Sequence, residues 1–177
     1  MGGFVPGADR CKLAAAAGGV LALAACGGGG GAQGGQRLVG GTGYTFQAPK
    51  QWEIVRTARQ VQAAERHHSV ALVGVSRFPL LHVFRANLWG KVVRELDGAA
   101  DAIARQQHGS VTDAHDVTLS GERARRYKVA YSLRGQKLIE ELAFVLRGKT
   151  EYLVLCRYEQ GKSHDACDRL MSSFRLT

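Results

Sequence analysis

The sequence lacks an apolar run long enough to cross a membrane as a helix. A spanning helix needs about 20 mostly apolar residues. The uncharged stretch near the N-terminus covers only residues 13–25 and is rich in alanine and glycine. Those small side chains gain little from transfer into hydrocarbon, so the sequence does not predict a transmembrane anchor.

Catalytic and metal-binding motifs are also missing. The chain contains no G-x-S-x-G turn, which presents the nucleophile of α/β-hydrolases. Its histidines lack the paired local spacing of zinc ligands; the nearest cluster is His108 with His115-Asp116, and His67-His68 are expected to be an exposed pair. The sequence therefore predicts no catalytic residue, no cofactor and no metal site.

Glu140 and Glu141 are the one pair of adjacent carboxylates in the C-terminal half. Neighbouring residues of a strand point to opposite faces, so these two cannot converge on one substrate as an acid–base pair must. Glu140 falls on the apolar face of its strand. We expect it to be partly buried or at a sheet edge, and paired with an arginine of a neighbouring strand, such as Arg126.

The N-terminal stretch has the layout of an export signal. Arg10 and Lys12 precede the apolar run, and small residues close it at Leu23-Ala24-Ala25-Cys26. This tetrapeptide resembles the bacterial lipobox, which implies that Cys26 is lipidated with acyl chains such as palmitate and becomes the mature N-terminus. We therefore predict a lipoprotein signal peptide over residues 1–25. The alternative is an ordinary cleaved signal without lipid.

Residues 26–41 are rich in glycine and show no pattern that could bury one face. We predict a flexible linker here and a single domain over residues 42–177. No strand precedes the glycines, so they are not expected to form a phosphate-binding loop.

Two of the four cysteines remain after the leader is considered. Cys11 lies in the signal peptide and Cys26 would carry the lipid, which leaves Cys156 and Cys167. An even pair in an exported protein predicts a disulfide, here between the last long strand and the closing helix. The alternative is two free buried thiols.

The pattern of the domain changes from short strands to one long helix and then to alternating strands. Residues at three- and four-residue spacing predict a helix over 86–108, ended by Gly109 as its C′ residue, with a break near Leu96-Gly98 as an alternative. Period-two alternation and turn residues predict strands at 44–46, 52–55, 69–78, 117–119, 127–133, 138–146 and 152–158. Ser163 is expected to cap a final helix. Segregated helices and antiparallel strands indicate an α+β fold.

The segment Gly43-Tyr44-Thr45-Phe46-Gln47-Ala48-Pro49, followed by Trp52-Glu53, resembles the opening of PsbP-like domains. This superfamily includes PsbP of photosystem II, the Ran-release factor and bacterial lipoproteins of the LpqN type. The closing Ser172-Ser173-Phe174-Arg175-Leu176 and Gly121 before an alternating strand are similar to it as well, whereas Gln51 replaces a usual glycine. The resemblance implies a central, mostly antiparallel sheet with helices on both faces, an α/β/α sandwich. It supplies no shared catalytic residue.

The formal charge of the chain is +9 at pH 7, and removal of Asp9, Arg10 and Lys12 with the leader leaves +8. Basic residues concentrate on one predicted strand, as Arg123, Arg125, Arg126 and Lys128. They could form a patch for an anionic partner, because envelope surfaces carry anionic lipids and polymers. The alternative is a solvated basic face. Nucleic acid is not an expected partner of an exported protein.

These features favour a membrane-tethered, non-catalytic interaction module on the exported side of the cell membrane or outer membrane. Its expected partners are the membrane, through the N-terminal lipid, and an envelope protein or anionic envelope polymer. The first alternative is a carrier of a small apolar ligand, with a pocket between the long helix and the sheet lined by Trp89, Tyr127, Tyr131 or Tyr152. The second alternative is an envelope enzyme.

Overall fold

The computed structural model of the protein describes residues 35–65 and 70–177. The predicted signal peptide, the lipidation residue Cys26 and the pair His67-His68 lie outside the described residues. Among the helices described, none combines the length and the apolar character required to cross a bilayer.

The described chain forms an α+β fold of ten strands and two α-helices. The strands are β1 (Gln36–Gly41), β2 (Tyr44–Pro49), β3 (Glu53–Arg56), β4 (Gln60–Ala64), β5 (Leu72–Pro79), β6 (Ser110–Leu119), β7 (Glu122–Leu133), β8 (Gln136–Arg147), β9 (Thr150–Glu159) and β10 (Arg175–Leu176). The helices are α1 (Trp89–Gln106), preceded by a 3₁₀ turn at Ala86–Leu88, and α2 (Asp165–Ser173).

The strands form two antiparallel sheets. The large sheet has the order β3-β4-β5-β9-β8-β7-β6, and the small sheet has the order β1-β2-β10. Two runs of hairpins, β3 to β5 and β6 to β9, meet where β5 pairs with β9, and α1 is the crossover between them. The mostly antiparallel α+β fold expected from the sequence is confirmed.

The apolar side chains fall into two buried clusters that alternate along the central strands. In β9, Val154 and Cys156 belong to the first cluster, together with residues of β2 and α2. Leu142 of β8 belongs to the second cluster, which α1 supplies with Leu96 and Ala100. Val145 of β8 belongs to the first cluster and Leu155 of β9 packs against the second, so both central strands are apolar on each face, as buried strands are.

The predicted linker is wrong at its C-terminal end, because residues 36–41 form β1. Val39 is buried in the first cluster and lies opposite Phe46 of β2. A Cβ added at Gly41 would come within 2.2 Å of the Tyr44 ring, so this glycine permits close packing rather than flexibility. The folded domain begins near Gln36 instead of residue 42.

The predicted strands and helices are present, and the differences lie mainly at their ends. Helix α1 runs through Gly98 without a break, and the left-handed residue after it is His108 (φ 54°) rather than Gly109. Gly109 is required for another reason, because an added Cβ would meet the Ala130 carbonyl oxygen at 2.4 Å. At α2, Ser163 Oγ accepts a hydrogen bond from the Asp165 amide at 3.2 Å, while His164 occupies the N-cap position.

Candidate functional site

The four basic residues predicted as one patch do not lie together. Tyr127 and Val129 of β7 belong to the second core cluster and Ala124 to the first. Since side chains alternate along a strand, Arg123 and Arg125 share the face of α1, whereas Arg126 and Lys128 lie on the other face. The predicted patch is therefore wrong as a single surface, and each half has its own carboxylate partner.

Arg123 is held by Asp116 on the neighbouring strand β6. Its Nε and Nη2 atoms donate to Asp116 Oδ2 at 2.9 and 2.6 Å, and the indole N–H of Trp89 donates to the same oxygen at 3.0 Å. The Arg123 guanidinium also lies 4.9 Å from the centre of the Trp89 ring. Burial alone would raise the pKa of Asp116, but these hydrogen bonds, with one from Arg125, lower it. The group fastens the start of α1 to the sheet edge.

Arg125 bridges two carboxylates from different elements. Its Nη1 atom lies 3.2 Å from Asp116, and its Nε atom lies 3.2 Å from Asp97 of α1. The Tyr127 hydroxyl donates to the same Asp97 oxygen at 2.7 Å, and burial together with the Asp97 carboxylate raises the pKa of Tyr127 well above its ordinary value. Arg125 is therefore a structural residue between helix and sheet.

Arg126 and Lys128 converge on Glu141, which is only 3% exposed. Arg126 Nη2 donates to Glu141, Lys128 Nζ lies 3.5 Å from it, and the Tyr158 hydroxyl donates to it at 3.1 Å. Burial would raise the pKa of Glu141, but the bond to Arg126 and the two positive charges lower it. Burial, and after it the negative charge of Glu141, raises the pKa of Tyr158 to about 12.

Glu140 is buried on the opposite face, as expected, but the predicted pairing with Arg126 is wrong. Its carboxylate accepts hydrogen bonds from the Tyr131 hydroxyl and from Gln107 Nε2, each at 3.2 Å. Arg157 lies opposite Glu140 on β9 and donates to the Tyr131 hydroxyl at 3.5 Å. The predicted pairing fails because Arg126 projects from the face of the sheet that carries Glu141, not from the face that carries Glu140.

The predicted disulfide is present. Cys156 of β9 and Cys167 of α2 are bonded, with their Cα atoms 5.4 Å apart. Cys156 lies directly opposite Glu141 on β8. The bridge thus joins α2 to β9 at the residue that pairs with Glu141.

The four aromatic residues suggested for a ligand pocket are packed into the core. Trp89, Tyr127 and Tyr131 belong to the second cluster, whereas Tyr152 belongs to the first and stacks edge-on against Tyr44 at 5.9 Å. Their polar groups on the α1 face are already bonded within the fold: the Trp89 indole donates to Asp116, the Tyr127 hydroxyl to Asp97 and the Tyr131 hydroxyl to Glu140. These four side chains therefore do not line one cavity.

Within residues 35–65 and 70–177, no group of three metal-ligating side chains converges. His115 Nδ1 pairs with Asp113 at 2.9 Å. The neighbouring Asp116 accepts hydrogen bonds from Arg123 and Arg125 instead. The His115-Asp116 cluster considered from the sequence is thus divided.

Sequence reasoning missed the segment between β5 and α1. Leu81 is 92% exposed and Val83 49%, and Val83 with Leu88, His82, Arg85 and Asn87 lines a shallow open groove. The sequence signal was the apolar run that continues past Pro79, where the predicted strand ends. Exposed apolar residues grouped in one segment indicate an interaction surface.

No protein-family model matches this sequence, and no curated protein matches it. Solved structures share its fold. The solution structure of the cyanobacterial PsbP (CyanoP) from Synechocystis sp. PCC 6803 has a TM-score of 0.59 at 11% identity, over 84% of this chain and 96% of that one. A crystal structure from Bacteroides thetaiotaomicron VPI-5482 has a TM-score of 0.56 at 13% identity, over 82% of this chain.

This chain spans about half of the Bacteroides chain, 49% of its length. A further similar structure is that of LpqN, involved in cell envelope biogenesis of Mycobacterium tuberculosis, with a TM-score of 0.47 at 10% identity over 81% of this chain and 91% of that one. At such identities the likeness concerns the fold alone. The chain has a PsbP-like fold, as its opening segment predicted.

Proposed function

We propose that this protein is a non-catalytic binding module held at the exported surface of a membrane by lipid on Cys26. The observation that carries the proposal is the sequence Leu23-Ala24-Ala25-Cys26 after a charged and then apolar stretch. Two or more acyl chains supply stable membrane attachment, because each buried CH₂ contributes about 0.8 kcal/mol.

The non-catalytic part of the proposal is supported by how the ionisable side chains are used. The buried carboxylates Glu140 and Glu141 are both occupied by partners within the fold. Asp97 and Asp116 fasten α1 to β6 and β7. Within the described ranges, each of these four carboxylates is bonded to side chains of another element of the fold.

We infer further that α1 and α2 cover opposite faces of the large sheet. The inference is supported by the alternation along β9, where Leu155 packs with the cluster of α1 and Cys156 with the cluster of α2. In this arrangement a partner meets the edges and ends of the sheet, not its faces. An envelope protein or an anionic envelope polymer remains the proposed partner class, in keeping with the formal charge of +8 after leader removal.

The tether is tested by the mass and the location of the exported protein. We expect the wild-type protein in the membrane fraction, with a mature chain that starts at an acylated Cys26. The Cys26→Ser variant should lose both the added mass and the membrane fraction. Cys11→Ser is the matched control, because it changes a cysteine of the leader and leaves the acceptor Cys26 intact. An unmodified, soluble wild-type chain would refute the tether.

A further inference from the structure

The segment between β5 and α1 has an anchored base and an exposed tip. The Leu80 amide donates to the Lys149 carbonyl at 2.9 Å, and the Phe84 amide donates to the Gly148 carbonyl at 2.7 Å. Leu80 and Phe84 pack against the second core cluster, and the Phe84 ring meets Trp89 edge-on at 6.2 Å. Leu81 therefore projects from a framed loop rather than from a free strand end.

The tip is apolar. Leu81 and Val83 are exposed, and the apolar residues Phe78 and Leu88 at the two ends of the loop are exposed as well. Because Leu80 and Phe84 are turned inward, the outward side chains are concentrated on one side of the loop. This is the form of an element that inserts a few apolar side chains into an interface.

The surroundings of the tip are positively charged. Residues 77–94 contain Arg77, Arg85, Lys91 and Arg94 and no aspartate or glutamate, and all four cations are exposed. The turn beneath the loop adds Lys149, also exposed. Three carboxylates lie near these cations: Glu95 is exposed directly after Arg94, Glu122 is paired with Arg147 at 3.8 Å, and Glu151 is partly buried, which raises its pKa.

We propose that this loop docks the domain onto an anionic phospholipid surface, with Leu81 and Val83 entering the interfacial region and Arg77, Arg85 and Lys149 facing the headgroups. An apolar tip within a basic rim matches the two attractions that such a surface offers, apolar burial and negative potential. The proposal adds a second membrane contact to the proposed tether and rests on that function only for the location of the protein.

The test places a tryptophan at the tip and measures its quenching by brominated lipid. The exported, processed Leu81→Trp protein is reconstituted with vesicles of phosphatidylcholine, with or without phosphatidylglycerol, whose acyl chains are brominated. Trp52 and Trp89 are buried. Because Trp89 contacts the loop through Phe84, the wild-type protein is measured on the same vesicles and its signal is subtracted. Leu133→Trp is the matched control: it is an exposed leucine at the C-terminal end of β7, opposite Gln136 at the start of β8 and beside the exposed Arg134 and Lys137.

We expect quenching and a blue shift of the tryptophan at 81 on phosphatidylglycerol vesicles, and neither effect at 133. Replacing Arg85 and Lys149 by glutamine should lower the docking equilibrium about 25-fold, since each basic residue near such a surface contributes about five-fold. The same change at Arg134 and Lys137 should have no effect.

The proposal is overturned if the tryptophan at 81 is not quenched, if both positions are quenched equally, or if phosphatidylglycerol makes no difference. The first of these results is also expected if a protein partner covers the loop instead. The mass of the same preparation reports the lipid on Cys26. Failure of the tether and failure of the docking loop are therefore distinguished in one sample.

Discussion

Glu140 and Glu141 are adjacent in the sequence and serve two unrelated parts of the fold. The alternation of a strand sends Glu140 toward Tyr131 and the end of α1, and it sends Glu141 toward Arg126 and the disulfide. Burying a charged group without a partner is costly, so each carboxylate has collected donors from the neighbouring strands. The two carboxylates are neighbours in the sequence, but the alternation of the strand places them in two separate hydrogen-bonded groups.

Glu141→Gln should destabilise the protein at pH 7 by about 2 kcal/mol, because Arg126 loses its charged partner. The lowered pKa of Glu141 means that its contribution is present above the ordinary value of 4.5 and is lost as the pH falls through the folded-state pKa. Urea unfolding at pH 7 and pH 3 checks this: the difference from wild type should shrink at pH 3. An equal penalty at both pH values would contradict it.

Glu151→Gln is a control that should change the stability at pH 7 in the opposite direction to Glu141→Gln. Burial raises the pKa of Glu151, so the folded state favours its protonated form. The resulting cost to stability appears as the pH rises through the ordinary value toward the raised one. The glutamine variant should therefore be more stable than wild type at pH 7 and equal to it at pH 3. A loss of stability at pH 7 would show that the charged form is stabilised instead.

The elements predicted best are those whose apolar residues repeat with one clear period. Helix α1 and strands β7, β8 and β9 were found for this reason. Strand β4 was missed because its inward positions, Val61 and Ala63, alternate with glutamines in a short segment. Strand β1 was missed because residues 36–41 continue a glycine-rich stretch, so the buried Val39 was assigned to the linker. Which arginine meets which carboxylate depends on register between strands, and one sequence does not contain that information.

Gly98→Ala should raise the stability of the protein by about 1 kcal/mol, because alanine is the better helix former and an added Cβ meets nothing within 4 Å. Gly109→Ala is the matched change just beyond the same helix, and it should destabilise, because its Cβ would collide with the Ala130 backbone. Thermal unfolding of the two variants checks both signs. A stabilising Gly109→Ala would show that the β6–β7 contact adapts easily.

Removal of the disulfide by Cys156→Ala with Cys167→Ala should cost about 3 kcal/mol, as expected from the chain-entropy account of a loop this short. The bridge joins β9 to α2 across 11 positions of sequence. Urea unfolding of the double variant measures the cost. Wild-type protein unfolded in reductant is the control and should show a similar loss; an unchanged midpoint in both would contradict the prediction.

At the scale of the whole molecule, the domain is a large antiparallel sheet with a small sheet beside it. The small sheet contains the first and the last described strands, since β1 and β10 both pair with β2. The N-terminal boundary of the domain is therefore set by β1 and not by the end of the glycine-rich composition.

Deletions on either side of this boundary should behave differently. Deleting residues 27–34 should leave the unfolding midpoint of the domain unchanged. Deleting residues 36–41 removes β1, exposes the edge of β2 and empties the position of Val39, so the midpoint should fall and aggregation should increase. Thermal unfolding with light scattering measures both effects. Equal behaviour of the two deletions would place the boundary elsewhere.

The incorporation of residues 36–41 into a strand also limits where a tethered domain can search. If Cys26 is fixed in a bilayer, the maximum span to the domain falls from about 55 Å for a connection ending at residue 41 to about 35 Å for one ending at Gln36. The accessible volume scales with the cube of that span and shrinks about four-fold, so the local concentration of the domain at the bilayer rises by the same factor. Partners deep in a thick envelope layer would lie beyond the reach of the domain, whereas partners at the membrane surface would meet the domain more often.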